Sequence, residues 1–229
     1  MQMVILCGGL ATRLGEIAKN TPKAMIDING KPFVQHQIEK SREYGVDDFV
    51  LCVGHLSDKI IDFLGDGSDF DVKISYSHDG DKPLGPIGAI KKAEHLLDSD
   101  FFIMYGDSYL YVDFQKVYDY YKSKVEPACM VVYKNNDRFD KSNVILKDNH
   151  IIAYGKQYRT KDMIYIDYGT TILAKKTMDL IPPDSFFDTG DFFRALVKKD
   201  ELLAYEVDKR FYHIGNPDAL QELRKHLMA

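Results

Sequence analysis

The residues best suited to chemistry fall in two places. Gly8-Gly9-Leu10-Ala11-Thr12-Arg13-Leu14 follows an apolar run, and Pro22-Lys23 comes soon after it. Adjacent glycines let backbone N–H groups approach a polyphosphate with no Cβ in the way. A helix start just beyond would add a positive dipole end. Arg13 offers a planar fork for two phosphate oxygens, and Lys23 offers a point charge. The second place is Tyr105-Gly106-Asp107, where a carboxylate ends another apolar run. Such a carboxylate is a hard oxygen ligand of the kind Mg²⁺ takes together with phosphate oxygens and water. A dinucleotide loop would need G-x-G-x-x-G, which Leu10 and Thr12 break, and a Walker loop would end in Lys directly before Ser or Thr. On these residues alone, a plain glycine turn beside a surface Arg and Lys fits as well, and an Asx turn is the simpler reading of Asp107.

The elements that must hold these groups follow from periodicity. Residues 3–7, 49–53, 72–77 and 100–105 read as strands, and residues 32–44, 57–64 and 87–97 as helices, with Ser57 expected to cap the second and Gly65 to stop it. Strands alternating with helices predict an α/β fold, a Rossmann-like three-layer α/β/α arrangement with a mostly parallel central sheet. In such sheets ligands sit beyond the carboxyl ends of the strands. Gly8-Gly9 and Gly106-Asp107 both fall at such ends, the first sign of a shared site. After Asp107 the pattern changes to a series of strand-like pieces, at 128–133, 143–146, 151–154, 163–173 and 202–207, with helices at 114–122, near 175–181, and at 188–198 and 217–228. No repeat or linker divides the chain. The expectation is one domain over residues 1–229, with a first half over 1–110 and a second over 111–229.

Composition narrows the classes. The chain has 229 residues, 45% hydrophobic, with a formal charge of −5. An acidic total argues against nucleic acid as a partner, whereas a small phosphorylated ligand needs only local cations. No apolar run approaches the ~20 residues of a membrane span. The three cysteines, Cys7, Cys52 and Cys129, are far apart and two lie in strand-like runs, which suits buried thiols in a reducing compartment. The expected location is cytoplasmic, with no membrane partner. Oligomeric state is left open.

Residues 3–33, MVILCGGLATRLGEIAKNTPKAMIDINGKPF, resemble the signature of the sugar-phosphate nucleotidyltransferase family: apolar strand, G-G-x-x-T-R-L, P-K, then G-K-P. In look the chain is similar to the small guanylyltransferases acting on heptose or mannose 1-phosphate. Leu84-Gly85-Pro86-Ile87-Gly88-Ala89 resembles the family's L-G-T-x-G-A segment beside the base, with Pro86 and Ile87 as departures. Gly106-Asp107 resembles its metal-holding G-D. Lys156, in Tyr154-Gly155-Lys156, corresponds to a lysine that contacts the acceptor phosphate. Asp167-Tyr168-Gly169 resembles an acceptor-binding N-A-G segment, and His213 stands where relatives usually carry a second metal-binding aspartate.

The resemblance implies that residues 1–110 are the nucleotide-binding half and 111–229 the acceptor-binding half, and it implies catalytic roles for Arg13 and Lys23. It implies nucleotide binding by Leu6, Gly8, Gly9, Ala11, Thr12, Gly85 and Gly88, and acceptor binding by Lys156, Asp167 and Gly169. It implies a metal, Mg²⁺ or Mn²⁺, on Asp107, with His213 as a second ligand, a contact through a water, or a neighbour that leaves the site with one protein carboxylate. A neutral imidazole suits Mn²⁺ better than Mg²⁺, and Asp191 and Asp208 are conceivable substitutes. The implied reaction transfers NMP from an NTP to a phosphorylated acceptor, a sugar 1-phosphate, giving an NDP-sugar and pyrophosphate. GTP is favoured, with CTP, UTP and dTTP open. The alternatives are a cytidylyl- or other nucleotidyltransferase acting on a non-sugar phosphate, and a nucleotide-binding regulatory protein without turnover.

Overall fold

A computed structural model describes residues 1–9, 12–80, 82, 84–155 and 159–228, without the side chains of Thr12, Glu16 and Ile17. The chain opens with β1 (Gln2–Leu6), whose residues 2–5 are all buried, as expected of a strand covered on both faces. Residues 12–18 form 3-10 turns kinked at Gly15, and Lys23–Met25 makes another after Pro22. A hairpin of β2 (Asp27–Ile28) and β3 (Lys31–Pro32) turns at Asn29-Gly30, both with positive φ, as a tight hairpin turn requires. Then follow α1 (Phe33–Arg42), β4 (Asp48–Val53), α2 (Ser57–Leu64), β5 (Lys73–His78), α3 (Gly85–Lys92), β6 (Asp100–Tyr105) and β7 (Ser108–Tyr109). The second half adds α4 (Phe114–Lys122), β8 (Ala128–Lys134), β9 (Val144–Lys147), β10 (His150–Tyr154), β11 (Tyr165–Ala174), α5 (Thr189–Lys198), β12 (Leu202–Val207), β13 (Tyr212–His213) and α6 (Pro217–His226).

One sheet of nine strands runs in the order β5-β4-β1-β6-β11-β8-β12-β10-β9. The first four are mutually parallel. Tracing the pairings across the sheet, β8, β12 and β9 point the same way, and β11 and β10 run opposite. The expected α/β layering with a mostly parallel sheet is therefore what the chain adopts. Strand order reverses at β1, which pairs β4 on one side and β6 on the other. Their carboxyl ends carry Gly8-Gly9 and Gly106-Asp107, the crevice where α/β sheets bind ligands.

Two apolar clusters cover the two faces of the sheet. A third, built on Leu14, Ile26, Ile28, Phe33, Tyr109, Ile214, Leu220 and Leu223, ties the 12–28 segment to β7 and α6. It brings the segment from Tyr212 to Leu227 against the 12–28 segment and β7, a contact that no local pattern announced. Among local details, Ser57 does not cap α2: it is the first helical residue, and Leu56 precedes it in a left-handed conformation with no side-chain cap. Gly65 stops the helix as expected. Among the described residues, no helix is long and apolar enough to cross a membrane.

Candidate active site

Asp107 is placed by three backbone devices. Gly106 lies so close to the end of β1 that a Cβ there would sit 2.1 Å from the Leu6 carbonyl oxygen, so only glycine lets the loop turn at this point. Gln37, on the buried face of α1, donates through Nε2 to the carbonyls of Tyr105 (3.0 Å) and Ser108 (2.9 Å), one on each side of the Gly-Asp pair. The Ile214 N–H donates to the Asp107 carbonyl at 2.9 Å, extending the short pairing of β7 with β13. Gln37 is a positioning residue that sequence reading missed. A lone glutamine in an amphipathic helix carries no signal of what it will clamp.

Lys23 meets this loop. Pro22 ends the preceding turn, Ala24 is anchored in the core, and the lysine Nζ donates to Asp107 Oδ2 at 2.6 Å. Residues 84 apart in the chain thus form one ion pair at the edge of a cleft of about 570 Å³. Leu6, Gly8, Gly9, Gly85 and Pro86 line that cleft, together with Lys23 and Asp107. Among the described residues beyond its chain neighbours, no atom lies within 4 Å of a would-be Cβ on Gly9. Arg13 is exposed on its 3-10 turn and does not line the cleft.

Asp79 is a second residue that sequence reading missed. It follows β5, lines the cleft, and presses Oδ2 to 2.5 Å from the position of a Cβ on Gly8. Burial raises its carboxyl above the ordinary range, against the opposing pull of Lys92 and His78. Cys7 and Cys52 also line the cleft but are buried and free, and burial with the nearby Asp79 charge pushes the Cys7 thiol up to about 12. These thiols are packing groups, as expected, and not nucleophiles. On the opposite rim Phe186 is 64% exposed, an aromatic face open to a flat ligand.

Several residues expected at the site lie away from the cleft or are engaged within the protein. Gly88 does not line the cleft. Its N–H donates to Phe187, and a Cβ would sit 2.6 Å from the Ser185 carbonyl, so it serves to dock α3 on the 185–187 segment. Asp167 is buried, with Oδ2 accepting from Tyr105 (2.6 Å) and Tyr154 (3.1 Å) and Oδ1 from the Gly169 N–H (2.9 Å). Its lone pairs go to the protein and not to an open acceptor pocket. That charge and burial together raise both tyrosine hydroxyls well above their ordinary range. Gly169 sits in an irregularity of β11 at positive φ, packed behind Ser108, where a Cβ would come within 2.8 Å of Oγ. Asp191 pairs with Arg194, and Asp208 lines a different cleft. Ala11 and Lys156 lie outside the described residues, as does the Thr12 side chain.

His213 stands on β13, opposite Ser108, next to the Asp107 loop but not among the residues that line the cleft. Its Nδ1 accepts from the Gly215 N–H at 3.0 Å, and a Cβ on Gly215 would lie 2.9 Å from Nδ1 and 3.9 Å from Asp107 Oδ2. Imidazole and carboxylate therefore flank the same glycine. No group of three or more His, Cys, Asp or Glu with metal-holding geometry occurs among the described residues. One carboxylate facing a phosphate-sized cleft still suits a hard cation that takes its other ligands from phosphate and water.

Comparison with known proteins gives a consistent picture. The chain is 30% identical over 220 residues to D-glycero-alpha-D-manno-heptose 1-phosphate guanylyltransferase of Campylobacter jejuni, covering 95% of this chain and 96% of that protein. It is 28% identical to UTP–glucose-1-phosphate uridylyltransferase of Synechocystis, covering 98% of this chain but 63% of that longer protein. The crystal structure of HddC from Yersinia pseudotuberculosis superposes with a TM-score of 0.84 at 28% identity over 99% of both chains. A second HddC structure, complexed with GMP-PN, matches with a TM-score of 0.81. The family model described as nucleotidyl transferase matches residues 2–228, so the chain belongs to the nucleotidyl transferase family.

Proposed function

We propose that this protein transfers the nucleoside monophosphate of an NTP to a sugar 1-phosphate, releasing pyrophosphate, and that GTP is the preferred donor. The observation that carries the reading is the Lys23–Asp107 pair at the edge of the glycine-lined cleft. The relatives named for heptose 1-phosphate and for GMP-PN support the substrate class and the base.

The chemistry is an in-line displacement. An anionic oxygen of the acceptor phosphate forms a bond to the α-phosphorus, and the bond from that phosphorus to the oxygen leading to the β-phosphate breaks. Pyrophosphate carries away the electron pair. The nucleophile is already charged, so no general base is needed, and the protein must supply position and charge neutralisation. Asp107 would hold Mg²⁺ or Mn²⁺. A divalent ion, when bound, supplies the neutralisation that lets two phosphates approach each other. Lys23, released from Asp107, turns to the α-phosphate where charge builds. Arg13 closes from its exposed turn onto the β- and γ-phosphates. Backbone N–H groups at Gly8 and Gly9 line the nucleotide, and Lys156 steers the acceptor phosphate.

Asp79 supports guanine. Its carboxylate at the cleft wall accepts the two adjacent donors of guanine, N1–H and N2–H. Uracil and thymine present one N–H between two carbonyls that the charge repels, and adenine and cytosine lack the paired donors. The free, buried thiols suit a reducing, cytoplasmic setting. The test is pyrophosphate release across four NTPs and several phosphorylated acceptors, each with and without divalent metal. GTP with a sugar 1-phosphate should give the highest kcat/KM. No turnover with any pair, despite nucleotide binding, would favour the regulatory reading instead.

A further inference from the structure

The contact between Gly215 and His213 decides what the imidazole can do. A ring nitrogen that accepts a hydrogen bond from a backbone N–H carries no proton, so in the neutral ring the proton is on Nε2. Histidines that ligate metals show the reverse arrangement: one nitrogen gives its lone pair to the ion, and the other donates N–H to an acceptor. Here Nδ1 is occupied by a donor at 3.0 Å, and Nε2 has no lone pair to give. Ligation through Nε2 would demand a ring stripped of both protons. The arrangement is held from several sides. Pairing of His213 with Ser108 fixes the backbone, buried Ile214 anchors the next residue, and the Phe211 ring lies 6.2 Å away at a 32° tilt. The absence of a Cβ at Gly215 is what lets its N–H come so near.

From this we infer that His213 is a hydrogen-bond donor to a substrate phosphate and not a metal ligand, leaving Asp107 as the carboxylate on which the divalent ion rests. With imidazole and Asp107 carboxylate on either side of Gly215, Nε2–H would give a bound phosphate a directional donor at no cost in cationic charge. This inference rests on the nucleotidyltransferase reading for the identity of the phosphate, but its first readouts do not need turnover.

The experiment uses the intact protein with a non-hydrolysable GTP analogue. With Mn²⁺ bound, pulsed EPR should show no coupling to an imidazole nitrogen. A coupling that disappears in His213→Gln would make His213 a ligand and overturn the inference. Selective ¹⁵N labelling of histidine, with Mg²⁺ in place of Mn²⁺, should find His213 protonated at Nε2 and bare at Nδ1; the opposite tautomer overturns it too. His213→Ala should weaken binding of either the GTP analogue or the sugar 1-phosphate by ~10–100-fold, the scale of one hydrogen bond to a charged group, while Mn²⁺ affinity changes less than ~2-fold. Unchanged affinity for both substrates would remove the donor role. Gly215→Ala, which displaces the ring without deleting it, should reproduce the weakened phosphate binding. Wild-type turnover is measured alongside: its absence rejects the proposed reaction and leaves the tautomer and EPR results standing.

Discussion

Two aspartates in this molecule, each within two residues of a tyrosine and a glycine, are used in opposite ways. Gly106-Asp107, in the first half, leaves its carboxylate partly exposed at a cleft, held among the described residues by Lys23 and a long contact from Ser108. Asp167-Tyr168-Gly169, in the second half, turns its carboxylate inward onto two tyrosine hydroxyls and a backbone N–H. A carboxylate becomes a ligand site only where the fold leaves lone pairs unspent. In the first half the strand ends meet at the reversal of strand order and, among the described residues, they border a cleft. In the second half the irregularity in β11 folds the same residue types into the wall behind Tyr105.

The contrast can be broken or sharpened by measurement. The largest effect should come from removing divalent metal: chelation is expected to abolish turnover, and full activity in chelator would end the role of Asp107 as an ion holder. Next, Lys23→Ala and Arg13→Ala should each lower kcat by ~10²–10³, the scale of losing one preorganised charge donor. Asp167→Asn, by contrast, should cost stability of about 1–3 kcal/mol in denaturant melts with under ~10-fold loss in kcat. If Asp167→Asn matches Lys23→Ala in turnover while its stability is intact, the two aspartates are not the opposites described.

Base choice is a finer probe of the first half. Asp79→Gln should cut the ratio of kcat/KM for GTP over UTP by ~10–100-fold, and an unchanged ratio would take Asp79 out of base selection. The glycines offer a stability comparison within the same half. Gly106→Ala should destabilise by about 1–3 kcal/mol, because its Cβ meets backbone that cannot yield. Gly9→Ala should stay within about 0.5 kcal/mol of wild type, because no described residue beyond its chain neighbours lies near it, and its loss should appear in nucleotide affinity instead. Equal melting curves for the two variants would contradict the packing described.

The smallest effect is a pH dependence. The Asp79 carboxyl is raised above its ordinary value of 3.8, chiefly by burial. Between the unfolded and folded values the folded state binds more protons, so its stability falls as pH rises through that window. Asp79→Asn should therefore melt higher than wild type at neutral pH, and the gap should close below about pH 4. A gap that is constant with pH would mean the charge is not the cause.

Much of the first half was legible because its signals are local. An apolar strand ending in Gly8-Gly9, a proline before Lys23, and Gly106-Asp107 after β6 each announce a strand end with freed backbone or charge. The chain's own periodicity also determined the alternation of strands and helices, and with it the layered fold. Other features depended on residues distant in sequence. Gln37 became a clamp only because α1 packs under the Gly106 loop. Asp79 became a cleft residue only because β5 ends beside Gly8. Gly88 was drawn away from the cleft by the 185–187 segment, and His213 acquired its tautomer from Gly215 once Ile214 was buried against Leu14 and α6. Residue type and spacing set which groups could bind phosphate and metal. Which of them kept a free lone pair or proton was decided by tertiary packing, because hydrogen bonds are spent on whichever neighbour the fold brings within about 3 Å.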